Sequence, residues 1–397
     1  RSAFADSKQR LSGHKAQLVT TIIIWVLARV MLGLAVAAIA GVSLNLIPNV
    51  FGINLQVIAT STIVILLVWA LANAIITALS NGALADLLFR LYLRVSPNAS
   101  RAMAAEWETD KELSRTSIPL GAFIAAAAAA VVGGIIAGGT LLEGVSSTRT
   151  VEIIAHRGAA GSRPENTMAA INKAVDEGAD WVEIDVQETA DDEVVVAHDS
   201  DFMKLAGVDL KIWDASMADL VEIDIGSWFD PSYSGERTPT LRQALGAVKG
   251  RSKVMIELKY YGHDVDLESR VADIVEELGM AGDISVMSLK YDGVRKMQSL
   301  RPDWRYGVLA ATAIGDLASL EADFLAVNTG QASLQLIKRA HQRGKKLYVW
   351  TVDDPLTMSR MISMGVDGLI TNEPALARQV MEARNQLNTY ERRALWL

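Results

Sequence analysis

The sequence predicts an α/β protein, a distorted (β/α)8 TIM-type barrel preceded by transmembrane α-helices. Three observations lead to this fold class. The first 149 residues contain three long apolar stretches, the remainder alternates short β-rich runs with helical patterns, and polar residues cluster where the β-rich runs end. Half of the 397 residues are hydrophobic, which favours a membrane part. We therefore predict a membrane domain over residues 1–149 and a barrel domain over residues 150–397.

Each apolar stretch is long enough to cross a bilayer as a helix, which takes about 20 residues. The predicted spans cover about residues 17–40, 55–80 and 118–142. The stretch at about 82–95 mixes leucines with charges, which predicts an interfacial helix on the membrane surface, unless it continues the second span. Gly134 and Gly138 form a GxxxG pair in the third span, so another helix could pack closely against it.

The charges predict how the chain is oriented in the bilayer. Residues 81–117 contain five Lys and Arg side chains, whereas residues 41–54 contain none. Positively charged loops stay in the cytoplasm, so we expect residues 81–117 there. Three spans then place the barrel domain on the extracytoplasmic side of an integral membrane protein.

Composition excludes several kinds of site. Residues 1–149 carry 11 Lys+Arg against 7 Asp+Glu, a balance of +4, and the remainder carries 27 against 39, a balance of −12. Because no long basic run occurs, we expect no nucleic-acid partner. The absence of cysteine excludes disulfides and cysteine-ligated zinc.

The barrel prediction depends on strand-helix alternation, which is typical of a parallel sheet with helical crossovers. Eight units suggest a (β/α)8 barrel. The predicted strands cover 151–155, 181–186, 194–197, 254–258, 284–287, 306–309, 324–327 and 347–351. Only residues 188–193 separate the second and third runs, too few for a parallel crossover, so we predict an antiparallel pair. A ninth run at 368–371 could then close the ring.

Polar side chains follow four of these runs, where the active face of a barrel lies. Side chains two apart on a strand share a face, so Glu183 accompanies Asp185, and Glu257 accompanies Lys259. Two other strand ends carry histidine. Each feature alone is weak, because a single strand-end histidine is usually a surface residue and a single carboxylate often forms a structural ion pair. Their convergence on one mouth favours a site.

The residue types at this mouth indicate a chemistry. Three carboxylates suit a hard divalent cation, Ca²⁺ or Mg²⁺. Arg157 and Lys259 suit a phosphate group. His156 and His198 titrate near neutral pH and suit an acid and a base. Phosphodiester cleavage needs all three functions.

The order of these motifs resembles a known family. The chain carries His156-Arg157-Gly158, then PENT at 164–167, VEIDV at 182–186, VVAHD at 195–199, IELK at 256–259 and GVDG at 365–368. Over about residues 153–374 this series resembles the glycerophosphodiester phosphodiesterase signature, and the apolar front end resembles the membrane-domain branch of that family less specifically. Asn372 departs from the pattern, which commonly has Asp there, and this puts a peripheral contact in doubt.

The resemblance implies a barrel, a divalent metal and a catalytic histidine pair. His156 and His198 would be catalytic, and Arg157 and Lys259 would contact phosphate. Glu165 would orient Arg157, and an insertion at about 201–240 would cover the mouth. The metal ligands would be Glu183, Asp185 and Glu257, and the substrate cleft would include Trp350 and Phe229. The insertion aromatics, which include Trp213, Trp228 and Tyr233, could contact substrate or form the insertion's own core.

The implied activity is hydrolysis of glycerophosphodiesters to glycerol 3-phosphate and an alcohol. An alternative is a membrane-associated enzyme acting on lysophospholipid, a phospholipid headgroup or a glycerol-phosphate polymer of the envelope. A third is a non-catalytic binding or transport protein. Ca²⁺ is favoured over Mg²⁺ because the domain is expected outside the cytoplasm, where Ca²⁺ is plentiful. The sequence leaves open which histidine is the acid and which is the base.

Overall fold

The computed structural model describes residues 13–51, 54–95, 150–312, 315–388, 391–392 and 395. The chain divides into two compact units, Arg1–Glu143 and Gly144–Leu397. The predicted third span, with Gly134 and Gly138, and residues 96–117 of the predicted cytoplasmic loop lie outside the described residues. The helix contact at the two glycines and the exact domain boundaries therefore stay predictions.

Two long helices make up the described part of the first unit. Helix α1 (Lys15–Phe51) and helix α2 (Leu55–Val95) are long and apolar enough to cross a membrane, by length and composition. The indole N–H of Trp25 donates to the carbonyl of Ser80 at 2.9 Å and joins them. Both helices exceed the predicted spans. Residues 82–95 continue α2 without a break instead of forming a separate helix, which leaves their location on a membrane surface a prediction.

The second unit is a closed barrel with parallel strands. In chain order the strands are β1 (Glu152–Ala155), β2 (Trp181–Glu188), β3 (Val194–Val196), β4 (Asp201–Phe202), β5 (Val208–Lys211), β6 (Lys253–Leu258), β7 (Ile284–Ser288), β8 (Tyr306–Ala310), β9 (Phe324–Asn328), β10 (Lys346–Trp350) and β11 (Gly368–Thr371). Within the described residues, eight of them pair in parallel in the ring order β1, β2, β6, β7, β8, β9, β10 and β11, and β11 pairs with β1 again. The predicted TIM-type barrel is confirmed.

Helices cover the outside of the ring. They are α3 (Met168–Asp176), α6 (Leu241–Val248), α7 (Leu267–Glu277), α8 (Tyr291–Leu300), α9 (Leu334–Gln342), α10 (Pro355–Met364) and α11 (Pro374–Gln386), whereas the short helices α4 (Met203–Ala206) and α5 (Met217–Leu220) lie in the segment between β3 and α6. Several begin at a side chain that accepts a free N–H of the first turn, which stabilises a helix start. Thr240 and Gln243 form a reciprocal capping box on α6, and Asp354 caps α10 ahead of Pro355.

The distortion of the barrel is where the sequence predicted it. β3 runs antiparallel to β2 and pairs with its last residues, Val186 to Glu188. β1 pairs with β2 only at Trp181 and Val182, so this upper edge of β2 is available to β3. β11 supplies the eighth parallel strand and closes the ring.

Because successive side chains of a strand point to opposite faces, the barrel has two separate hydrophobic cores. One lies between the strands and the helices. The other fills the inside of the ring, and we call it the barrel floor: Ile154, Trp181, Met255, Met287, Leu309, Phe324, Ala326, Tyr348 and Ile370. Gly307 makes room for this packing, because a Cβ there would lie 2.0 Å from the ring of Phe324.

The segment between β3 and α6 contains the β4-β5 hairpin and has a small core of its own. That core is mostly aliphatic, with Phe202, Ile212 and Leu220 among its members. None of the aromatic residues considered in the sequence belongs to it. Phe229 packs edge-on against Trp228 and Tyr233, and Trp213 stacks on His263. Trp228, Phe229 and Tyr233 therefore pack against one another outside the aliphatic core, and both interpretations of the insertion aromatics stay predictions.

Candidate active site

Strand register brings the three predicted carboxylates together. Asp185 on β2 lies opposite Glu257 on β6, and Glu183 lies opposite Met255. Because alternate residues share a face, all three carboxylates point into the ring above the floor. One oxygen from each lies within 4.8 Å of the others, and all three residues are buried.

Two carboxylate oxygens of this triad have no hydrogen-bond partner. The backbone N–H of Arg157 donates to Glu183 Oε2 at 2.7 Å, and Asn166 Nδ2 donates to Asp185 Oδ2 at 2.9 Å. Glu183 Oε1 and Asp185 Oδ1 are buried and accept no hydrogen bond. Burying polar oxygens without a hydrogen bond is costly, and Asp185 Oδ1 has only an ion pair with Lys259 at 3.5 Å. A hard divalent cation would satisfy both oxygens. The triad therefore fits the cation that the sequence predicts.

The pKa values of the three triad carboxylates differ because these groups are buried close to one another and to cationic side chains. Burial, followed by repulsion from Asp185 and Glu257, raises the pKa of Glu183 well above its ordinary value. Burial and repulsion from Asp185 raise the pKa of Glu257 to about 7. Burial also opposes ionisation of Asp185, but the charges of Lys259 and Arg157 outweigh it and lower its pKa to about 2. The metal-free triad therefore holds protons that a bound cation would displace.

The two predicted phosphate ligands lie beside these carboxylates. Lys259 Nζ is 3.0 Å from Glu257 Oε1 and 3.5 Å from Asp185 Oδ1. Arg157 Nη1 donates to Glu165 Oε1 at 2.8 Å, and Arg157 Nε is 3.4 Å from Asp185 Oδ2. Glu165 thus lies against Arg157, and it also takes an ion pair from Lys204 of the insertion at 2.9 Å.

His156 follows β1 and points into the same mouth. Its Nδ1 lies 2.8 Å from Asn372 Oδ1, beyond the end of β11. Burial, and then the charge of Arg157, lower the pKa of His156 and favour the neutral ring. Asn372 therefore contacts a predicted catalytic side chain directly, so the view of its contact as peripheral is wrong.

His198 follows β3, which runs antiparallel to β2 and ends at Val196. The backbone N–H of Ala197 donates to the carbonyl of Asp185 at 2.9 Å, which brings His198 level with the triad. Its Nδ1 lies 2.7 Å from Asp199 Oδ1. Tyr261 donates its hydroxyl to the carbonyl of His198 at 2.7 Å and holds this segment from the β6 side.

A cavity of about 60 Å³ joins these groups. Its polar side is formed by His156, Arg157, Glu183, His198, Glu257 and Lys259, and its apolar side by Met287, Leu289, Leu309, Trp350 and Ile370. Trp350 therefore lines the cavity. Phe229 does not occur among the described residues that line it, and packs within the insertion instead.

Four contacts at the site were missed in the sequence. Asn166 holds Asp185, Tyr261 holds the His198 segment, and Asp353 accepts from Asn372. Gln187 Nε2 donates to the carbonyls of Ala197 and Asp199 at 2.9 and 2.7 Å. Asn166 lies inside the PENT motif, and Tyr261 and Asp353 follow strand ends, so a search for polar residues one to three positions past each strand could have found them.

Comparisons with known proteins agree with this barrel. The sequence model of the glycerophosphoryl diester phosphodiesterase family matches residues 156–376. A glycerophosphodiester phosphodiesterase of Caldanaerobacter subterraneus subsp. tengcongensis is 30% identical over 237 residues, which is 56% of this chain and 94% of that protein. The crystal structure of a glycerophosphodiester phosphodiesterase from Agrobacterium tumefaciens is 28% identical with a TM-score of 0.52, covering 58% of this chain and all of the other.

A phosphodiesterase of Oleispira antarctica, whose structure was solved in complex with the product sn-glycerol-3-phosphate, shows the same fold. It is 24% identical with a TM-score of 0.55, covering 58% of this chain and 96% of that one. The barrel and these relatives define the class of the protein, a phosphoric diester hydrolase. The chain belongs to the glycerophosphoryl diester phosphodiesterase family, as its motifs predicted.

Proposed function

We propose that the chain hydrolyses glycerophosphodiesters to glycerol 3-phosphate and an alcohol, with a divalent metal and the pair His156 and His198 as acid and base. The observation that supports this most directly is one cavity lined by two carboxylates of the triad, Glu183 and Glu257, together with both histidines and two cationic side chains. Each of these groups answers one need of the reaction: charge neutralisation, proton transfer and phosphate binding.

Glu183, Asp185 and Glu257 would hold the metal, and their unpaired oxygens support this assignment. When bound, the metal supplies positive charge that neutralises the phosphate and polarises its ester. Arg157 and Lys259 pair with the triad in this structure. Once the triad's charge is neutralised, their donors become available to phosphate oxygens, and Glu165 keeps Arg157 oriented toward them.

The histidines would move the protons. One would remove a proton from water or from the neighbouring glycerol hydroxyl, and the other would protonate the leaving oxygen. Both rings are exposed to the cavity, and each has its Nδ1 engaged, which leaves Nε2 for the substrate side. This arrangement suits concerted acid-base catalysis.

The direct test is an assay of the purified chain on a panel of glycerophosphodiesters, with and without chelator. We expect release of glycerol 3-phosphate that chelation abolishes and that Ca²⁺ or Mg²⁺ restores. Turnover that is insensitive to chelator would contradict the metal assignment. Ligand binding without turnover by any member of the panel would favour the third function, a non-catalytic binding or transport protein.

The apolar side of the cavity favours a second candidate substrate, a lysophospholipid or another membrane glycerophospholipid. Leu289 lines the cavity and is 49% exposed, so the apolar wall continues from the site to the surface. An acyl chain could lie along it. Leu289→Ser should then lower turnover of lysophospholipid more than that of a water-soluble glycerophosphodiester. Val265→Ser is the control, since Val265 is 77% exposed and does not line the cavity.

The chain is proposed to be an integral membrane protein with its barrel on the extracytoplasmic side. The two long apolar helices support the membrane part, and the uneven distribution of Lys and Arg supports a cytoplasmic location for residues 81–117. The predicted third span at about 118–142 would then carry the barrel to the other side. The location in turn favours Ca²⁺ over Mg²⁺. Protease added to spheroplasts should cleave the barrel domain and spare residues 81–117, and the opposite pattern would refute both the orientation and the preference for Ca²⁺.

A further inference from the structure

The two histidines of the cavity have different partners at Nδ1. His156 faces the side-chain amide of Asn372 at 2.8 Å, whereas His198 faces the carboxylate of Asp199 at 2.7 Å. An amide can present either a donor or an acceptor, depending on which way it is turned. The group that orients the amide of Asn372 therefore determines whether Nδ1 of His156 carries a hydrogen.

Asp353 holds that amide in one orientation. Asp353 Oδ2 accepts from Asn372 Nδ2 at 2.7 Å, and its Oδ1 accepts from the backbone N–H of Asn372 at 2.8 Å. The hydroxyl of Thr371 adds a third donor to Oδ1 at 3.1 Å. An ionised carboxylate only accepts hydrogen bonds, so the NH₂ group of Asn372 must face Asp353 and its oxygen must face His156.

The amide oxygen also only accepts, so the hydrogen between it and the ring belongs to His156 Nδ1. We propose that Asn372, oriented by Asp353, is a positioning residue that keeps neutral His156 in the Nδ1-protonated tautomer, with the Nε2 lone pair directed to the substrate. Neither Asn372 nor Asp353 lines the cavity, so both act through His156. The inference rests on the proposed acid-base role of that ring.

The difference in partners also separates the two roles that the sequence left open. In the tautomer that Asn372 favours, the neutral His156 ring presents an unprotonated Nε2, so this ring is suited to accept the first proton. His198 has the Asp199 carboxylate at Nδ1 in place of an amide, and it is assigned the complementary role of delivering a proton to the leaving oxygen. Asn372 and Asp353 thereby make His156 the base.

The tautomer can be observed without any substrate. The full chain, in detergent and labelled with ¹⁵N at its five histidines, would be examined by long-range ¹H-¹⁵N correlation. The signals that disappear in His156→Gln identify the ring. We expect a protonated Nδ1 and an unprotonated Nε2 for neutral His156. The reverse pattern would overturn the proposal.

Three variants distinguish a positioning role of Asn372 and Asp353 from a purely structural one. Asp353→Asn can donate to the amide oxygen of Asn372 and let that amide turn over, so the His156 signals should shift toward the Nε2-protonated tautomer. Asn372→Ala removes the acceptor, and kcat should fall on the order of 10²-fold with KM unchanged, because an effect confined to proton transfer appears in kcat. Asp353→Asn combined with Asn372→Asp exchanges the carboxylate and the amide and should restore the Nδ1-protonated signature.

Asp354→Asn is the matched control, since Asp354 caps α10 and makes no recorded contact with His156. It should change neither the spectrum nor kcat. Unchanged kcat in Asn372→Ala, or an unchanged tautomer in Asp353→Asn, would refute the positioning role. If Asn372→Ala does not fold, the wild-type and Asp353→Asn spectra decide the question. A correct tautomer in a chain that cleaves no glycerophosphodiester would refute the proposed function and leave the positioning intact.

Discussion

The inside of the barrel has two layers that differ sharply although the same strands supply both. On β2, Trp181 belongs to the apolar floor, while Glu183 and Asp185, two and four residues later, belong to the mouth. On β6, Met255 belongs to the floor and Glu257 to the mouth. Both layers are buried, yet one consists of packed hydrocarbon and the other of crowded charge. The floor stabilises the fold, whereas the mouth opposes it until a cation is bound.

The largest expected effect is loss of activity from a single change in the mouth. Glu183→Gln keeps an oxygen for the N–H of Arg157 but removes a metal-binding charge. We expect chelator-sensitive turnover to disappear, while the thermal midpoint measured in chelator does not fall, because the raised pKa of Glu183 already favours its neutral form. Glu193→Gln, in the exposed β2-β3 turn, is the control. Full metal-dependent activity in Glu183→Gln would show that the triad is not the metal site.

The next effect concerns the histidines, which lie in the mouth but outside the triad. His156→Ala and His198→Ala should each lower kcat by about 10²–10⁴-fold, the usual contribution of general acid-base catalysis. Metal affinity, measured by calorimetry, should persist in both variants. A large loss of metal affinity in either one would indicate that the ring is a metal ligand instead of a proton-transfer group.

A substitution in the barrel floor should lower stability and leave kcat largely unchanged, the opposite of a substitution in the mouth. Met255→Ala leaves a cavity beneath the triad and should lower the free energy of unfolding of the barrel by about 2–5 kcal/mol. The protein that remains folded should keep most of its kcat. Met255→Leu nearly conserves volume and should cost less than about 1.5 kcal/mol. If Met255→Ala were as inactive as Glu183→Gln while still folded, the two layers would not be separable.

The smallest effect is a pH dependence of stability in the metal-free protein. Glu257 has its pKa raised from 4.5 to about 7, so folding favours its protonated form. Its contribution to stability is therefore complete below pH 4.5 and is lost as the pH rises through about 7. Asp185, with a pKa of about 2, titrates outside this window.

In chelator, the thermal midpoint of the barrel should thus be a few degrees lower at pH 8 than at pH 6, by roughly the shift that about 1 kcal/mol produces in a domain of this size. Saturating Ca²⁺ should weaken or reverse the trend, because it binds the ionised carboxylates. Glu257→Gln should make the curve measured in chelator less steep, while Glu183, whose pKa is also raised, still favours folding at low pH. A midpoint in chelator that rises from pH 6 to pH 8 would contradict the charge crowding inferred for the mouth.

The site also shows which of its contacts could be predicted from the sequence and which could not. Residues two apart on a strand share a face whatever the loops do, so Glu183 and Asp185 could be placed together from spacing, and the predicted barrel brought Glu257 to the same mouth. The partner of His156 could not. Asn372 is 216 positions away in the chain, and its contact depends on how the ends of β1 and β11 meet. Hydrogen bonds between loops have no sequence period, so they become visible only in three dimensions.

The helix ends show a second limit. Hydropathy predicted spans that stop near residues 40 and 80, because apolar character falls there. In the structure α1 continues to Phe51 and α2 to Val95. Leu, Ala and Arg residues in the last turns of α2 favour a helix regardless of the surrounding solvent. A hydropathy boundary therefore marks a change of environment and need not mark the end of a helix.

The hairpin that carries His198 has a consequence for how such enzymes diversify. The insertion leaves the barrel after β3 and returns beside it, where Val196 N–H donates to the carbonyl of Pro239 at 2.8 Å and Val195 bridges to Thr240. Its two ends are therefore adjacent, so lengthening or replacing it adds little loop-closure entropy. β2 pairs directly with β6, and the ring closes without the inserted segment. Exchange of this one segment between relatives should therefore leave the closed ring intact.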